Sequence, residues 1–205
     1  MSITLIIIVV TVLASIAGFQ QPGLLEKSLF IPSDIQHRQS YWRFITHGFI
    51  HADWQHLIFN MLTLYFFGRT AESAFLYLYG NEWVYPLFYL VALVMSSLPS
   101  YSKHKNNPYY RALGASGAVA SGLFFTILLD PWQMLMIQFI IPVPAILFAV
   151  GYVAYSSYYS RNQSGDGIGH EAHLWGALFG LVFPLASKPQ LFPYFIDQLL
   201  HPRFF

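Results

Sequence analysis

Six apolar stretches, set apart by short polar punctuation, organise the chain: roughly Ile3–Phe19, Trp54–Phe67, Trp83–Leu98, Leu113–Leu129, Met134–Tyr155 and Ile168–Leu185. An upright membrane crossing needs about 20 apolar residues, so the shorter stretches require flanking aromatics to extend them into the interface. The pattern predicts an all-α membrane protein, a polytopic bundle of six transmembrane helices forming a single domain over residues 1–205. Its connections are Gln20–Asp53, by far the longest, then Gly68–Glu82, Pro99–Ala112, a tight Asp130-Pro131 turn and Ser160–Gly167. The tail from Pro189 is short and aromatic, which suits the interface. The first stretch also fits a signal peptide ending at Ser15-Ile16-Ala17. However, its first basic residue is Lys27, and a signal peptide wants positive charge ahead of the apolar run.

Composition agrees with the membrane reading. Hydrophobic residues make up 56% of the chain and charged residues 9%, far below the ~25% charged of a typical soluble domain. Mean hydropathy is +0.48. A net charge of +1 leaves no basic stripe for a nucleic-acid partner. Cysteine is absent, which excludes disulfides, thiolate metal sites and a cysteine nucleophile. The eight histidines matter through their placement.

Spans two, four and six cross in the same direction, because an even number of crossings separates their starts. His56 lies a few residues into span two, Ser116 opens span four, and His173 sits early in span six. At 1.5 Å rise per residue, all three belong within about one to two turns of one membrane face. Asn60 stands one turn from His56 on the same helix face. A candidate nucleophile, a candidate base and two hydrogen-bond donors are therefore expected at matching depth. Polar groups at that depth are costly and tend to be functional.

Small residues offer a route to close approach. Span six carries Ala172, Gly176 and Gly180 at steps of four, and span four carries Gly114, Ala118 and Gly122. Such stripes let helix backbones pack closely in lipid. Each residue also has an ordinary reading: Ser116 could bond back to its own helix, Asn60 could bridge two helices, and the stripes could be packing alone. Gly114-Ala115-Ser116-Gly117 is not the hydrolase elbow G-x-S-x-G, since Ala118 holds the last position. The joint placement favours chemistry.

The chain resembles the rhomboid intramembrane serine proteases of the minimal six-span form. The resemblance is carried by Trp42-Arg43, His47, His51, His56, Asn60, the Gly114–Gly117 string and the run Ala172-His173-Leu174-Trp175-Gly176-Ala177-Leu178-Phe179-Gly180. It covers about Tyr41 to Gly180. It implies Ser116 as nucleophile and His173 as general base, a dyad without an acidic third member. It also implies an oxyanion hole of His56, Asn60 and the Ser116 backbone N–H. The implied partners are transmembrane substrates within the lipid bilayer, with no metal and no cofactor. One departure is Ala120, where many relatives carry an aromatic that stacks on the base, so what holds the His173 ring stays open. The Gly165, Gly167 and Gly169 cluster suits a mobile cap.

Two other readings remain. His170-Glu171-Ala172-His173 invites a metalloprotease, although the zincin pattern H-E-x-x-H needs one more residue between the histidines. A non-catalytic protein that binds transmembrane clients is the second. Sidedness is contested as well. Lys27, Arg38, Arg43, Lys103, Lys105, Arg111 and Arg161 lie on the active-site side, against Arg69, Lys188 and Arg203 opposite. The positive-inside rule thus points that end to the cytoplasm. The resemblance implies a cell-membrane protein whose site opens to the extracytoplasmic side, and that expectation is adopted.

Overall fold

The computed structural model describes residues 2–137, 140–162 and 169–202. The chain is mostly helical. Helix α1 covers Ile3–Gln20, and the long first loop holds short helices α2 (Pro22–Ser28), α3 (Pro32–Arg38) and α4 (Arg43–Thr46). Next come α5 (Trp54–Thr63), a π-helical segment Leu64–Gly68 and α6 (Arg69–Tyr79), which follow one another without a break. Helices α7 (Val84–His104), α8 (Ser116–Leu129), α9 (Ala145–Asn162), α10 (His170–Ser187) and α11 (Leu191–Leu200) complete the set. By length and composition, α1 and α7 are able to cross a membrane, and α8 is apolar but shorter.

The segment 134–144 departs from expectation. Instead of opening a helix at Met134, it forms an antiparallel hairpin of β1 (Met134–Ile137) and β2 (Ile141–Pro144), and α9 begins only at Ala145. Pro142 and Pro144 explain the shift, because each lacks an N–H and disfavours helix in the residue before it. Hydropathy alone cannot separate an apolar hairpin from a helix start.

Helix α8 is the centre of the bundle, buried without interruption from Gly117 to Leu128. Its most extensive neighbour is α10. A Cβ added at Gly176 would overlap the Gly117 carbonyl, and one at Gly180 would overlap the Ser121 carbonyl. Those paired contacts advance in step along both helices, so α8 and α10 run parallel. The Ser121 hydroxyl lies 2.9 Å from the Gly117 carbonyl and 2.8 Å from that of Gly176, adding a polar tie across the crossing. The contact stripe on α8 is thus Gly117 and Ser121, not the expected Gly114, Ala118 and Gly122; a Cβ at Gly122 would meet nothing within 4 Å. On α10 the expected Gly176 and Gly180 are the contact residues.

Helix α1 is integrated into the bundle. Glu72 on α6 accepts from the Ser2 hydroxyl, the Ile3 and Thr4 amides and the Thr4 hydroxyl, at 2.6 to 3.0 Å. A carboxylate at a helix N-terminus satisfies orphan amides and complements the helix dipole. In the first loop, buried Arg43 gathers the turns around it. Its guanidinium donates to the Glu26 carbonyl (2.9 Å), the Leu29 carbonyl (2.7 Å) and the Asp34 carboxylate (3.2 Å). Trp42 beside it is exposed, so Arg43 carries the structural part of that pair. The loop then joins α8: Phe30 and Ala112 exchange backbone hydrogen bonds at 2.9 and 3.1 Å.

Removing Arg43 leaves two carbonyls without their donor and takes one of two cationic partners from the Asp34 carboxylate. Arg43→Ala is expected to destabilise the detergent-solubilised protein by about 2 kcal/mol or more, the range for leaving buried backbone acceptors without their donor. Arg43→Lys should recover only part, because an ammonium cannot reproduce the guanidinium fork. Thermal unfolding followed by circular dichroism measures both, and an unchanged midpoint for Arg43→Ala would contradict this role.

Candidate active site

Three helix beginnings meet at one cavity of about 730 Å³. Helix α5 contributes His56, Phe59, Asn60 and Thr63, while α8 contributes Ser116, Val119, Ala120 and Leu123. His173 comes from the first turn of α10, and Phe148 and Tyr152 come from α9. Ser116, His173, His56 and Asn60, singled out from the sequence, all line this one space.

Local chemistry sets each position. Asp53 caps α5 by accepting from the His56 amide at 2.7 Å, which fixes where that helix starts. Asn60 is buried, and its side-chain amide donates to the His56 carbonyl at 3.0 Å. An Asn amide carries two N–H groups, so this bond uses one of them. Ahead of α8, Gly114 adopts φ +111°, a conformation that side chains rarely take. A Cβ there would come within 2.6 Å of the His56 ring, so the absence of a side chain also seats that imidazole. The first intrahelical bond of α8 runs from the Val119 amide to the Ala115 carbonyl (3.0 Å). The Ser116 amide therefore lies in the first turn, where amides have no intrahelical acceptor and the dipole favours negative charge.

Two further histidines hold this segment from behind. The Gly114 amide donates to the His47 carbonyl at 2.8 Å, and the Ala115 amide donates to Nε2 of His51 at 3.4 Å. With Nε2 accepting, Nδ1 of His51 carries the proton and donates to Ser15 Oγ of α1 (3.0 Å). Ser15 in turn donates to the Phe49 carbonyl at 3.2 Å. His51 also packs edge-on against His56, with ring centroids 4.9 Å apart. Burial lowers the His47 pKa from 6.5 to about 4. Burial, and next the neighbouring His56, lower that of His51 to about 3, with Asp53 offsetting part. Both rings are neutral at pH 7.

Behind Ser116 lies a second, smaller cavity of about 30 Å³. Its walls include His47, Ser96, Ser97, Ser100 and Tyr110. Its size suits a single water molecule, and these polar side chains stand among otherwise mostly apolar walls. Ser97 approaches Nε2 of His47 at 3.4 Å and also bonds back to the Leu93 carbonyl.

Sequence reasoning missed three residues of this region. Ser121 ties α8 to α10 as described. Tyr152 of α9 stacks on His173, with centroids 6.0 Å apart and planes inclined by 27°. His51 braces the start of α8. Only His51 carried a signal, its place among the motif histidines. Tyr152 stands in a tyrosine-rich helix where no spacing distinguishes it. Of the glycine cluster, Gly169 is the N-cap of α10 and lines the cavity, whereas Gly165 and Gly167 lie outside the described residues. Among the described residues, no group of three His, Asp or Glu side chains is placed to hold a metal ion.

A family model described as the Rhomboid domain matches residues 38–189. RHOMBOID-like protein 12, mitochondrial, of Arabidopsis thaliana is 32% identical over 143 residues, which cover 65% of this chain and 42% of that protein. Rhomboid-like protein 11, chloroplastic, of the same plant is 30% identical over 190 residues, covering 84% of this chain and 62% of that protein. Rhomboid protease GlpG of Haemophilus influenzae is 23% identical over 184 residues, covering 88% of each. The chain thus spans less than two thirds of either plant relative.

The neutral histidines give a pH expectation. The unfolded chain takes up protons as pH falls through about 6.5, while folded His47 and His51 resist until about pH 4 and 3. Stability should therefore fall as pH drops from about 6.5 toward 3, by up to about 1.4 kcal/mol per unit for each group. Thermal midpoints between pH 7.5 and 4.5 test this. His51→Asn should flatten the slope, and an identical slope in that variant would refute the assignment to His51.

Proposed function

The chain belongs to the rhomboid family of integral membrane proteins, and we propose that it is a serine endopeptidase cleaving transmembrane segments inside the bilayer. One observation carries the reading: Ser116, His173, His56 and Asn60, from three separate helices, line a single cavity. In this reading α1, α5–α6, α7, α8, α9 and α10 are the six membrane spans. Parallel packing of α8 and α10 supports the inference that the spans bearing Ser116 and His173 cross in the same direction.

The chemistry follows from the residues. Ser116 Oγ attacks the scissile carbonyl carbon as His173 accepts its proton, because a serine hydroxyl is a weak nucleophile until a base takes that proton. The carbonyl oxygen becomes an oxyanion. The Ser116 amide, a ring N–H of His56 and the second N–H of Asn60 stabilise it. Collapse breaks the C–N bond, and His173 returns its proton to the leaving amine. Water then attacks the acyl-enzyme with His173 again as base, and collapse breaks the acyl C–O bond as His173 returns the proton to Ser116 Oγ. The small cavity beside Ser116, with Ser96, Ser97 and Ser100 among its walls, supports a water supply to that step.

A transmembrane substrate arrives as a helix with its amides hydrogen-bonded, so it must unwind before attack. Phe59 of α5 and Phe148 of α9 give the cavity an apolar wall that suits an extended segment. Segments with small or helix-breaking residues near the accessible face are the preferred substrates. We assign the site to the extracytoplasmic side of the cell membrane. A role in binding clients without cleavage shares the fold but leaves the convergence of nucleophile, base and donors without a purpose.

Ser116→Ala and His173→Ala should each abolish cleavage of a model transmembrane substrate in detergent while the protein stays folded, and chelators should have no effect. Wild-type enzyme should label with a fluorophosphonate; cleavage by purified Ser116→Ala would end the serine mechanism. Loss of one oxyanion donor leaves two, so Asn60→Ala should lower kcat about 10²-fold rather than to zero. If it lowers only the melting temperature, Asn60 is a structural residue. For sidedness, Asn107→Cys in the exposed loop before α8 should react with an impermeant thiol reagent in intact cells, free of background because the chain has no cysteine. Labelling only after lysis would reverse the orientation.

A further inference from the structure

Helix α8 offers the base nothing flat to lean on, since Ala120 occupies the cavity-facing position one turn beyond Ser116. The neighbouring aromatic surface comes from α9. Tyr152 lies nearly parallel to the His173 ring, with centroids 6.0 Å apart and planes at 27°. Tyr152 is itself confined, with Phe124 of α8 at 5.4 Å and Phe148 of α9 at 5.7 Å between centroids. On another side, His170 presents an edge-to-face contact to His173 at 6.1 Å. Buried His170 is in turn stacked on Tyr159 at 5.2 Å and met edge-on by Tyr155 at 5.3 Å. Aromatic residues spaced along α9 thus face the first turn of α10.

We propose that Tyr152 is a positioning residue for His173, its ring face fixing the plane in which the imidazole accepts the Ser116 proton. The inference rests on the Ser116–His173 dyad. An offset stack at this distance restrains a ring in two dimensions, and the cavity leaves the Ser116 side of the imidazole unobstructed by a larger side chain at position 120. Because Tyr152 belongs to α9, a wall of the substrate cleft, the orientation of the base depends on how α9 is seated. A displacement of α9 away from α10 would loosen the base and widen the cleft together.

The useful property of the stack is the flat ring, not the hydroxyl, so Tyr152→Phe and Tyr152→Leu separate this role from packing. In detergent, Tyr152→Phe should keep kcat within about twofold of wild type. Tyr152→Leu should lower kcat about 3- to 10-fold with KM nearly unchanged, the loss expected for one aromatic pair. Fluorophosphonate labelling, which needs no transmembrane substrate, should slow by a similar factor when normalised to folded protein. Tyr152→Met, which fills space without a ring, repeats the comparison if the Leu variant unfolds. Wild-type kcat in the folded Leu or Met variant, or an effect confined to KM or to melting temperature, overturns the proposal. A wild-type protein that neither labels nor cleaves would instead sink the dyad, and this role with it.

Discussion

Everything at the site depends on how closely α8 and α10 approach. Gly176 and Gly180 leave no room for a Cβ against the carbonyls of Gly117 and Ser121, so backbone meets backbone at two points one turn apart. In lipid, helices gain little from burying apolar surface, and contact of this kind with interhelical hydrogen bonding holds them together. The crossing also sets register. Ser116 immediately precedes the contact residue Gly117, and His173 lies one turn before Gly176. Any substitution that adds a side chain at position 176 or 180 therefore separates Ser116 from His173 before it touches either.

Polarity in this bundle is inverted relative to a soluble protein. Along α1 the buried stripe is Thr4, Ile7, Thr11, Ser15 and Gly18, while Leu5, Ile6, Val9, Val10 and Leu13 face outward. A solvent of hydrocarbon explains this, because the Thr4 and Ser15 hydroxyls find partners inside while apolar side chains cost nothing outside. Glu72 follows the same logic, collecting four donors at the start of α1. The first loop follows it too, with Arg43 satisfying carbonyls that the turns leave open.

What was legible in the sequence was whatever hydropathy and motif spacing encode. Five of the six apolar stretches begin or centre on helices close to the expected places, and the four candidate site residues share one cavity. Hydropathy failed at 134–144, where prolines rather than polarity decide the backbone, and could not reveal that span two continues as a helix through α6 to Tyr79. The α8 stripe was misread because several small residues compete on that helix. Only the partner's position selects Gly117 and Ser121 over Gly114, Ala118 and Gly122. Tyr152 was invisible for a related reason: its importance lies in a contact between helices, which no local pattern records.

The charge state of His51 and the geometry of the turn before Ser116 are one constraint viewed twice. A protonated imidazole has no acceptor, so it could not receive the Ala115 amide that it now holds. Burial keeps His51 neutral far below pH 7, so the acceptor persists into acid. Oxyanion stabilisation works when donors are fixed before the charge appears, and the Ser116 amide can fill the donor role proposed for it only if the backbone before it cannot rotate. Gly114 is anchored to the His47 carbonyl and Ala115 to the His51 ring, so the loop rather than α8 supplies that rigidity. The long first loop is in this sense part of the proposed catalytic centre. It presents His47 and His51 as neutral, engaged groups, and leaves the proposed chemistry to the histidines that face the larger cavity.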